Sequence, residues 1–474
     1  MINPRISHDN SAVRQHIIAC TEESAKNQLE NIISGDFLGE FSGKKGETCT
    51  YRQGAVKLVF CGLGSSPDAG EIRDRIRTIS ATNSESFDSV STQLSWSEDF
   101  DREHIAAFFQ GFLVGGYAII EKSRKHFIWN KNAQLIISTE AKEVLEEALI
   151  IANNQMIAMD WLNRGHNQKH APELSQFLRS MAADLGIVCH VLDRELALAE
   201  DLHAYLAVNQ GSMHDAAFTI LHYKPSTVKK KILLVGKCVT FDTGGVSIKS
   251  SSNMHYMKSD MGGATAVIGA LKSIVELALE VEVIAILPIT DNVVSAEAYI
   301  PSDVLNSHAG KTIEVIDTDA EGRLTLADGL SYGITKFEPD VVIDLATLTG
   351  SAVRTFGDAC AAMFSQNEEL LSLLQKAGDQ TGERVWPLPM WESYRDHLKS
   401  DVADLKNYSG TPISGATDAA IFLQEFTHKH PAWAHLDIAG VAFGKTPFGK
   451  DKNATGYGVL LLLEAVRLLI DETE

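Results

Sequence analysis

Hydrophobic positions in the first 150 residues form short runs that alternate with helical stripes. The apolar runs at 55–60 and 134–138 are typical of strands, and the stripe at 103–122 predicts a helix. This alternation predicts a small α/β domain covering residues 1–150. No cluster of acids, bases or metal ligands stands out in it. We therefore expect this domain to have a structural or assembly role.

The rest of the chain has a more strongly alternating pattern. A helical stripe without Pro or Gly covers 141–163 and breaks at 164–166, which predicts a linking helix and hinge at 151–170. Next come a helix (172–184) and a strand (186–192). Apolar runs at 231–235, 281–287 and 340–345 predict buried strands, with a helix at 265–277 after the first. These elements predict a larger C-terminal α/β domain at 171–474, with a mostly parallel central sheet flanked by helices. Function is expected at the carboxyl ends of its strands.

Composition narrows the class of protein. With 62 acidic and 42 basic residues the formal charge is −20, which makes nucleic acid an unlikely partner. The six cysteines show no C-x-x-C pairing and are expected to be free thiols in a reducing compartment. The longest apolar run, 458–470, is too short and too charged to span a membrane. The N-terminus has no secretory pattern. We therefore expect a cytoplasmic protein without membrane partners.

Three segments concentrate carboxylate, lysine and glycine: 235–249, 257–264 and 317–324. They contain Asp242, Asp260, Asp319 and Glu321, and so much buried negative charge is costly unless cations neutralise it. Asp319 and Glu321 are two positions apart, so an extended segment would point both to one face. Carboxylates that bridge two divalent ions would solve the charge problem and create a catalyst.

The cationic residues of these segments suggest further roles. Lys237 beside metal ions would lose its proton and donate a nitrogen lone pair, whereas Lys249 and Arg323 would stay charged and stabilise an oxyanion. The glycine pairs at 244–245 and 262–263 would let the backbone approach an ion or substrate. Each feature taken alone has a simpler interpretation, since Gly-Gly is often only a turn and Asp260 could be only a helix N-cap.

Together, these segments resemble the leucyl aminopeptidase (cytosol aminopeptidase) family. The hallmark of that family stands here at 317–324, and its upstream blocks stand at 235–249 and 257–263 with the family's spacing. The likeness is strong over roughly 200–460 and weaker before it. It implies a metal-dependent aminopeptidase that releases N-terminal amino acids, Leu-like ones preferred, from peptides with a free N-terminus. It also implies a homo-hexamer.

The resemblance assigns a role to each matched residue. Asp242 and Glu321 would bridge two metals. Lys237 and Asp260 would complete the tighter site, and Asp319 the exchangeable one. Lys249 would polarise the scissile carbonyl, and Arg323 would hold a bicarbonate ion that acts as general base. The pocket for the first side chain would be lined by Met257, Thr347, Leu348, Gly350, Ala439 and Ala442.

The ligand types limit the metal, and three departures from the family pattern stand out. No His or Cys is among the proposed ligands, which suits Mn²⁺ or Mg²⁺ and still permits Zn²⁺. Asp317 replaces the hallmark's Asn, and Cys238 replaces a Gly and is interpreted as a tolerated small residue. The stretch 159–172 is a degraded version of a family segment. None of these changes removes a proposed ligand.

Two other functions remain open at this point. The chain could be a catalytically weak family member that acts as a binding or regulatory protein, although the intact ligand set counts against this. It could also be another dinuclear hydrolase such as a phosphoesterase, although such enzymes usually recruit His ligands.

Overall fold

The computed structural model describes residues 5–7, 13–32, 41–83, 91–119, 134–411 and 413–471. The chain divides into two compact units. The first comprises Met1–Met156, Asp379–Gly382 and Pro447–Lys450, and the second comprises Ile157–Gly378, Glu383–Thr446 and Asp451–Glu474. Within the described ranges, no helix combines the length and the apolar character needed to cross a membrane. The six cysteines, all within the described ranges, are thiols and not disulfides, as predicted.

The first unit is built on one six-stranded sheet. Its strands are β1 (Arg5–Ser7), β2 (Val13–Cys20), β3 (Thr48–Gln53), β4 (Val56–Gly62), β5 (Ser91–Ser95) and β6 (Gln134–Ile136), in the order β1-β6-β5-β2-β4-β3. Only the β3–β4 pair is antiparallel. Its helices are α1 (Ala25–Ile32), α2 (Ala69–Thr82), α3 (Arg102–Gly115) and the start of α4 (Lys142–Asn163), which follows a 3₁₀ turn at Thr139–Ala141. The predicted runs at 55–60 and 134–138 correspond to β4 and β6.

The helix predicted at 103–122 is confirmed to Gly115 and wrong at 116–119. Helix α3 ends at Gly115, residues 117–119 are not helical, and 120–122 lie outside the described residues. The physical reason is the Gly115–Gly116 pair, since glycine weakens a helix and Gly116 is the C-cap. Gly115 also serves packing: a Cβ there would lie 2.4 Å from Ser80 Cβ on α2.

The second unit contains the remaining elements. Its strands are β7 (Val188–Leu192), β8 (Ala217–Tyr223), β9 (Lys230–Gly236), β10 (Cys238–Asp242), β11 (Val281–Asn292), β12 (Val304–Asn306), β13 (Thr312–Glu314), β14 (Val341–Ala346), β15 (Ala361–Ser365), β16 (Val385–Pro387), β17 (Leu405–Lys406), β18 (Trp433–Asp437), β19 (Phe443–Gly444) and β20 (Asn453–Ala454). Its helices are α5 (Ala171–Leu185), α6 (Arg194–Ala199), α7 (His203–Asn209), α8 (Gly262–Glu276), α9 (Gly322–Phe337), α10 (Gly350–Phe356), α11 (Glu368–Thr381), α12 (Gly415–Gln424) and α13 (Val459–Asp471). Short 3₁₀ helices cover His166–Gln168, Met254–Ser259 and Glu392–Leu398.

A nine-stranded mixed sheet forms the centre of this unit. The strand order is β16-β15-β18-β14-β9-β11-β8-β7, with β10 paired to β11 beyond the end of β9. The four central strands β18, β14, β9 and β11 are mutually parallel, and antiparallel pairs occur at β15–β18, β11–β8 and β8–β7. The predicted α/β class and mostly parallel sheet are confirmed.

The central strands are buried because helices cover them. All twelve residues of β11 are buried, and so are all six of β14. Leu233 and Val235 of β9 lie against Gly333 and Gly329 of α9. Pro288 has no N–H to donate, and it falls between the part of β11 that pairs with β9 and the part that pairs with β10. A proline is therefore tolerated inside a central strand.

The parallel centre collects the carboxyl ends of several strands at one edge. Lys237 directly follows β9, Thr347 follows β14, and Asp242 is the last residue of β10. The carboxyl ends of parallel strands are where α/β sheets bind ligands. The predicted site residues are therefore placed together by the topology.

His16 provides a test of the first unit. It is buried on β2 beside the Ser95 hydroxyl at 2.7 Å, and burial lowers its pKa from 6.5 to about 4. Because the folded state favours the neutral ring, this contribution to stability is present above pH 6.5 and is lost as pH falls towards 4. We expect His16→Gln to reduce the loss of unfolding free energy between pH 7 and pH 4.5 by about 2–3 kcal/mol, measured by urea denaturation.

His190→Gln, a replacement on β7 of the second unit, is the matched control. Its unfolding free energy should change with pH as much as that of the parent chain. Equal pH dependence in the parent and His16→Gln chains would contradict the buried neutral state of His16.

Candidate metal centre

Lys237 is fixed by the backbone of three elements. It directly follows β9, its N–H donates to the Leu345 carbonyl at 2.9 Å, and its own carbonyl accepts from Ala264 on α8 at 3.0 Å. The side chain is buried, with Nζ 2.7 Å from Asp260 Oδ2 and 2.9 Å from Glu321 Oε1. One ammonium group therefore lies between two of the predicted metal ligands.

Asp242 is aimed by an irregularity in β10. The register with β11 pairs Val239 with Thr290 but Asp242 with Asn292, so one extra residue is accommodated as a bulge. Asn292 Nδ2 then donates to Asp242 Oδ1 at 2.8 Å, while Asp242 Oδ2 lies 2.7 Å from Lys249 Nζ. The bulge thus places a buried carboxylate between an amide and an ammonium group.

The turn after Asp242 requires glycine. Gly244 and Gly245 have φ angles of 87° and 61°, which side-chain-bearing residues rarely adopt. A Cβ at Gly244 would lie 2.9 Å from Asp319 Oδ1, and the Gly244 N–H donates to Asp242 Oδ1 at 2.8 Å. These glycines therefore let the backbone approach the charged cluster closely, while their predicted approach to an ion or substrate stays a prediction.

Asp319 and Glu321 come together for a different reason from the one predicted. Asp319 lies in a turn, and its N–H donates to the Asp317 carboxylate at 2.8 Å. Glu321 is the N-cap residue of α9 and has helical dihedral angles. The expected extended segment is therefore wrong, because the chain is already turning into a helix. The helix N-terminus favours a carboxylate at Glu321. Asp319 also pairs with Lys249.

Asp260 is not a helix N-cap, since α8 begins after Met261. Its Oδ1 accepts a hydrogen bond from the Thr347 hydroxyl at 2.9 Å, and Thr347 in turn offers its carbonyl to Lys237 Nζ at 3.1 Å. The simpler interpretation of Asp260 therefore does not hold. Its carboxylate points into the cluster.

Burial raises the pKa of several carboxyl groups here. Burial raises the pKa of Asp260 well above its usual range, although Lys237 opposes the rise. Burial and the charge of Asp242 together raise the pKa of Asp319 to about 7. Burial also raises the pKa of Asp242, and Glu321 adds to the rise. The nearby lysines therefore compensate only part of the cost of burying these carboxylates close to one another.

The two lysines respond in the opposite sense. Burial alone would lower the pKa of Lys237 and of Lys249, but the carboxylates beside them outweigh burial and raise both pKa values far above the ordinary lysine value. Burial alone would likewise raise the pKa of Glu321, but Lys237 and Lys249 hold it below its usual value. Without a metal ion, both lysines are ammonium groups that act as the cations of the site.

Divalent cations fit this cluster. Four carboxylates face two ammonium groups, which leaves two negative charges in excess. One carboxylate oxygen from each of three residues lies within 4.8 Å of the other two: Asp242, Asp319 and Glu321. Glu321 Oε2 is buried and accepts no hydrogen bond from any described residue. Uncompensated charge, convergent hard oxygens and a free lone pair are what a divalent ion requires.

Arg323 is the second residue of α9 and is buried. Its Nη1 donates to the Asn407 carbonyl at 2.7 Å, while its Nε has no hydrogen-bond partner among the described residues. Burial lowers its pKa, although Glu321 opposes this change. The guanidinium group therefore retains donor capacity for an anion.

Four of the six residues predicted to line a substrate pocket fall into two groups. A Cβ at Gly262 would lie 2.8 Å from Thr347 and 3.0 Å from Ala442. The N–H groups of Leu348 and Ala439 each donate to Asp437 Oδ1 at 3.2 Å. The remaining two are Gly350, the first residue of α10, and Met257, in the 3₁₀ helix before Asp260.

Three positioning residues were not predicted: Asn292, Asp437 and Asn407. Asn292 holds Asp242, and Asp437 holds the loop after β14. Asn407 accepts from the Ile316 N–H at 2.8 Å and donates to the Asp317 carbonyl at 2.7 Å. Asn292 and Asp437 end buried strands, which is the signal by which they could have been found.

Comparisons with known proteins agree with this picture. The model described as "Cytosol aminopeptidase family, catalytic domain" matches residues 156–463. A probable cytosol aminopeptidase of Chlorobium phaeobacteroides is 34% identical over 462 residues, which cover 92% of each chain. One of Chloroherpeton thalassium is 42% identical over 341 residues, covering 70% of this chain and 67% of the relative.

Two solved structures are similar over nearly the whole chain. A mutant of tomato leucine aminopeptidase superposes with a TM-score of 0.87 at 30% identity, covering 98% of this chain and 96% of its own. The bottromycin maturation enzyme BotP in complex with Mn superposes with a TM-score of 0.86 at 28% identity, covering 98% and 100%.

Gly322 offers a steric test of the cluster. A Cβ there would lie 2.4 Å from Lys237 Cε and 2.6 Å from Nζ, so Gly322→Ala must push the end of the lysine side chain away from Asp260 and Glu321. We expect divalent ions to bind at least about tenfold more weakly, measured by calorimetric titration, with little change in the thermal unfolding temperature.

Gly329→Ala on the same helix is the control, because its nearest contact would be Val235 Cγ1 at 3.1 Å. If Gly322→Ala binds divalent ions as tightly as this control, Lys237 has no part in the metal centre.

Proposed function

Because the chain belongs to the cytosol aminopeptidase family, we propose that its carboxylate cluster binds two divalent metal ions with which it releases N-terminal amino acids, Leu-like ones preferred, from peptides. Membership in the family makes the chain a metallo-aminopeptidase, a hydrolase. The two-metal mechanism and the preference for Leu-like residues are the proposal. The observation that carries it is the excess negative charge of four convergent carboxylates facing two lysines.

The arrangement of the side chains supports a division into two sites. Asp242 and Glu321 would hold both ions, and Asp319 would complete the more exchangeable site. Lys237 and Asp260 would complete the tighter one, where Lys237 would serve as a neutral amine because a nearby cation favours loss of its proton. Four carboxylates and one nitrogen suit Mn²⁺ or Zn²⁺, and Mg²⁺ is a third candidate.

When bound, two such ions supply Lewis acidity, an activated water and an anchor for the free α-amine of the substrate. Lys249 remains charged and donates to the oxygen of the scissile carbonyl, where negative charge develops. Arg323 holds a bicarbonate ion as the general base, which its unpartnered, buried Nε supports.

The pocket for the first side chain is formed by the two groups around Gly262 and Asp437. Thr347 links this pocket to the metal site, because its hydroxyl donates to Asp260. Met257, Leu348, Gly350, Ala439 and Ala442 supply mainly apolar or small surfaces, which favour a Leu-like side chain. Recognition of the free amine restricts cleavage to the N-terminus.

The remaining expectations rest on the resemblance and composition. A cytoplasmic location, a homo-hexamer and an assembly role for residues 1–150 stay predictions.

Glu321→Gln tests the proposed reaction. We expect the parent chain with Mn²⁺ to hydrolyse leucine p-nitroanilide but not its N-acetylated form. Glu321→Gln should lower kcat at least about a thousandfold, because it removes a charge that both ions need. Release of nitroaniline is measured by absorbance, and circular dichroism verifies the fold.

The control is Glu369→Gln on α11, an exposed carboxylate far along the chain from the cluster, which should retain full activity. No hydrolysis of several free-amine anilides by the metal-loaded parent chain would reject the proposal and favour a binding or regulatory protein. Cleavage of the acetylated substrate would reject recognition of the amine.

A further inference from the structure

A second group of metal-ligand side chains lies in the same unit, apart from the carboxylate cluster. One ligand atom each from His166, His170 and Asp291 lie within 4.8 Å of one another. The rings of His166 and His170 are perpendicular, with centroids 4.5 Å apart, and His166 Nε2 is 3.7 Å from Asp291 Oδ2. The His214 ring stacks on the His170 ring with a centroid distance of 3.8 Å.

Several polar atoms of this cluster lack partners. His166 Nδ1, His170 Nδ1 and Asp291 Oδ1 are buried and make no hydrogen bond within the described part of the chain. The Asp291 side chain is only 5% exposed. Buried polar groups normally make hydrogen bonds, so three buried atoms without a partner in one cluster indicate a ligand-binding site.

The backbone holds these side chains in place. Between the two histidines, Lys169 is fully buried and its Nζ donates to the carbonyls of Trp161 and Leu162 at 3.2 and 3.0 Å and of Lys258 at 2.6 Å. Because three carbonyls hold Lys169 Nζ, the backbone at Lys169 is restrained, and so are the nearby positions of His166 and His170 in the chain. Asp291 lies near the end of the buried strand β11.

The site is separate from the carboxylate cluster but adjoins it. Asp291 precedes Asn292, which donates to Asp242, and the His166 ring packs on Phe241 with centroids 5.2 Å apart. Successive strand residues point to opposite faces, so the Asp291 side chain points away from the Asn292 amide that holds Asp242. An ion there would not touch the atoms that hold the catalytic metals.

We propose that His166, His170 and Asp291 form a third metal site that binds Zn²⁺ or a similar borderline divalent ion. Two imidazoles and one carboxylate form a typical three-residue zinc ligand set, whereas the oxygen-rich cluster suits harder ions. The ion would link the segment before α5 to the end of β11. It would thereby stabilise the strand end that carries Asn292, the hydrogen-bond donor to Asp242. His166 is 29% exposed, which gives the ion access from solvent.

The test separates this site from the carboxylate cluster. In a chain carrying Asp242→Asn and Glu321→Gln, which disables that cluster, we expect one Zn²⁺ to remain bound per chain, measured by metal analysis after gel filtration. Adding His166→Gln and His170→Gln should remove it. Zn²⁺ should raise the thermal unfolding temperature of the first chain and not of the second.

The matched control carries His190→Gln and His203→Gln instead, which removes two histidines from outside the cluster, and should keep the ion. In the otherwise unchanged chain, Asp291→Asn should weaken one Zn²⁺ site by about tenfold or more, so the proposal stays testable if the combined variants do not fold. The proposal is overturned if the cluster-disabled chain binds no Zn²⁺, if the histidine variant binds as much as its control, or if Asp291→Asn leaves every Zn²⁺ affinity unchanged.

Discussion

The cost of burying like charges is the constraint on which the catalytic unit depends. Asp242, Asp260, Asp319 and Glu321 converge at the edge of a buried sheet, and two lysines offset only half of their charge. An unpaired buried carboxylate is expensive, so protons on Asp260 and Asp319 or further cations would relieve the repulsion. This imbalance is the physical basis for proposing that divalent ions bind here.

The backbone around the site serves to hold these charges together. A bulge in β10 turns Asp242 towards Asn292, a glycine turn leaves room for Asp319, and the N-terminus of α9 receives Glu321. Each of these features positions one carboxylate of the cluster. The parallel strands beneath are buried except for the first two residues of β9, and so they supply the rigidity that this arrangement needs.

Much of this architecture could be predicted from the sequence, since buried strands and the motif at 317–324 carry strong local signals. Long-range placement could not be predicted. Asn292 is fifty positions from Asp242 and more than a hundred separate His166 from Asp291, so only the folded sheet brings them together. The helix expected at 103–122 ended early because two glycines outweighed its apolar stripe. Asp319 and Glu321 converge through a turn, which their spacing alone did not reveal.

We propose that two divalent ions offset the charge of the four carboxylates. Anomalous diffraction at the manganese absorption edge, from crystals grown with Mn²⁺, would locate them. We expect two peaks roughly 3.5–4 Å apart, both within bonding distance of Asp242 and Glu321, with Lys237 Nζ bound to one. No peak there, or a single ion with Lys237 still paired to Asp260 and Glu321, would refute the proposal.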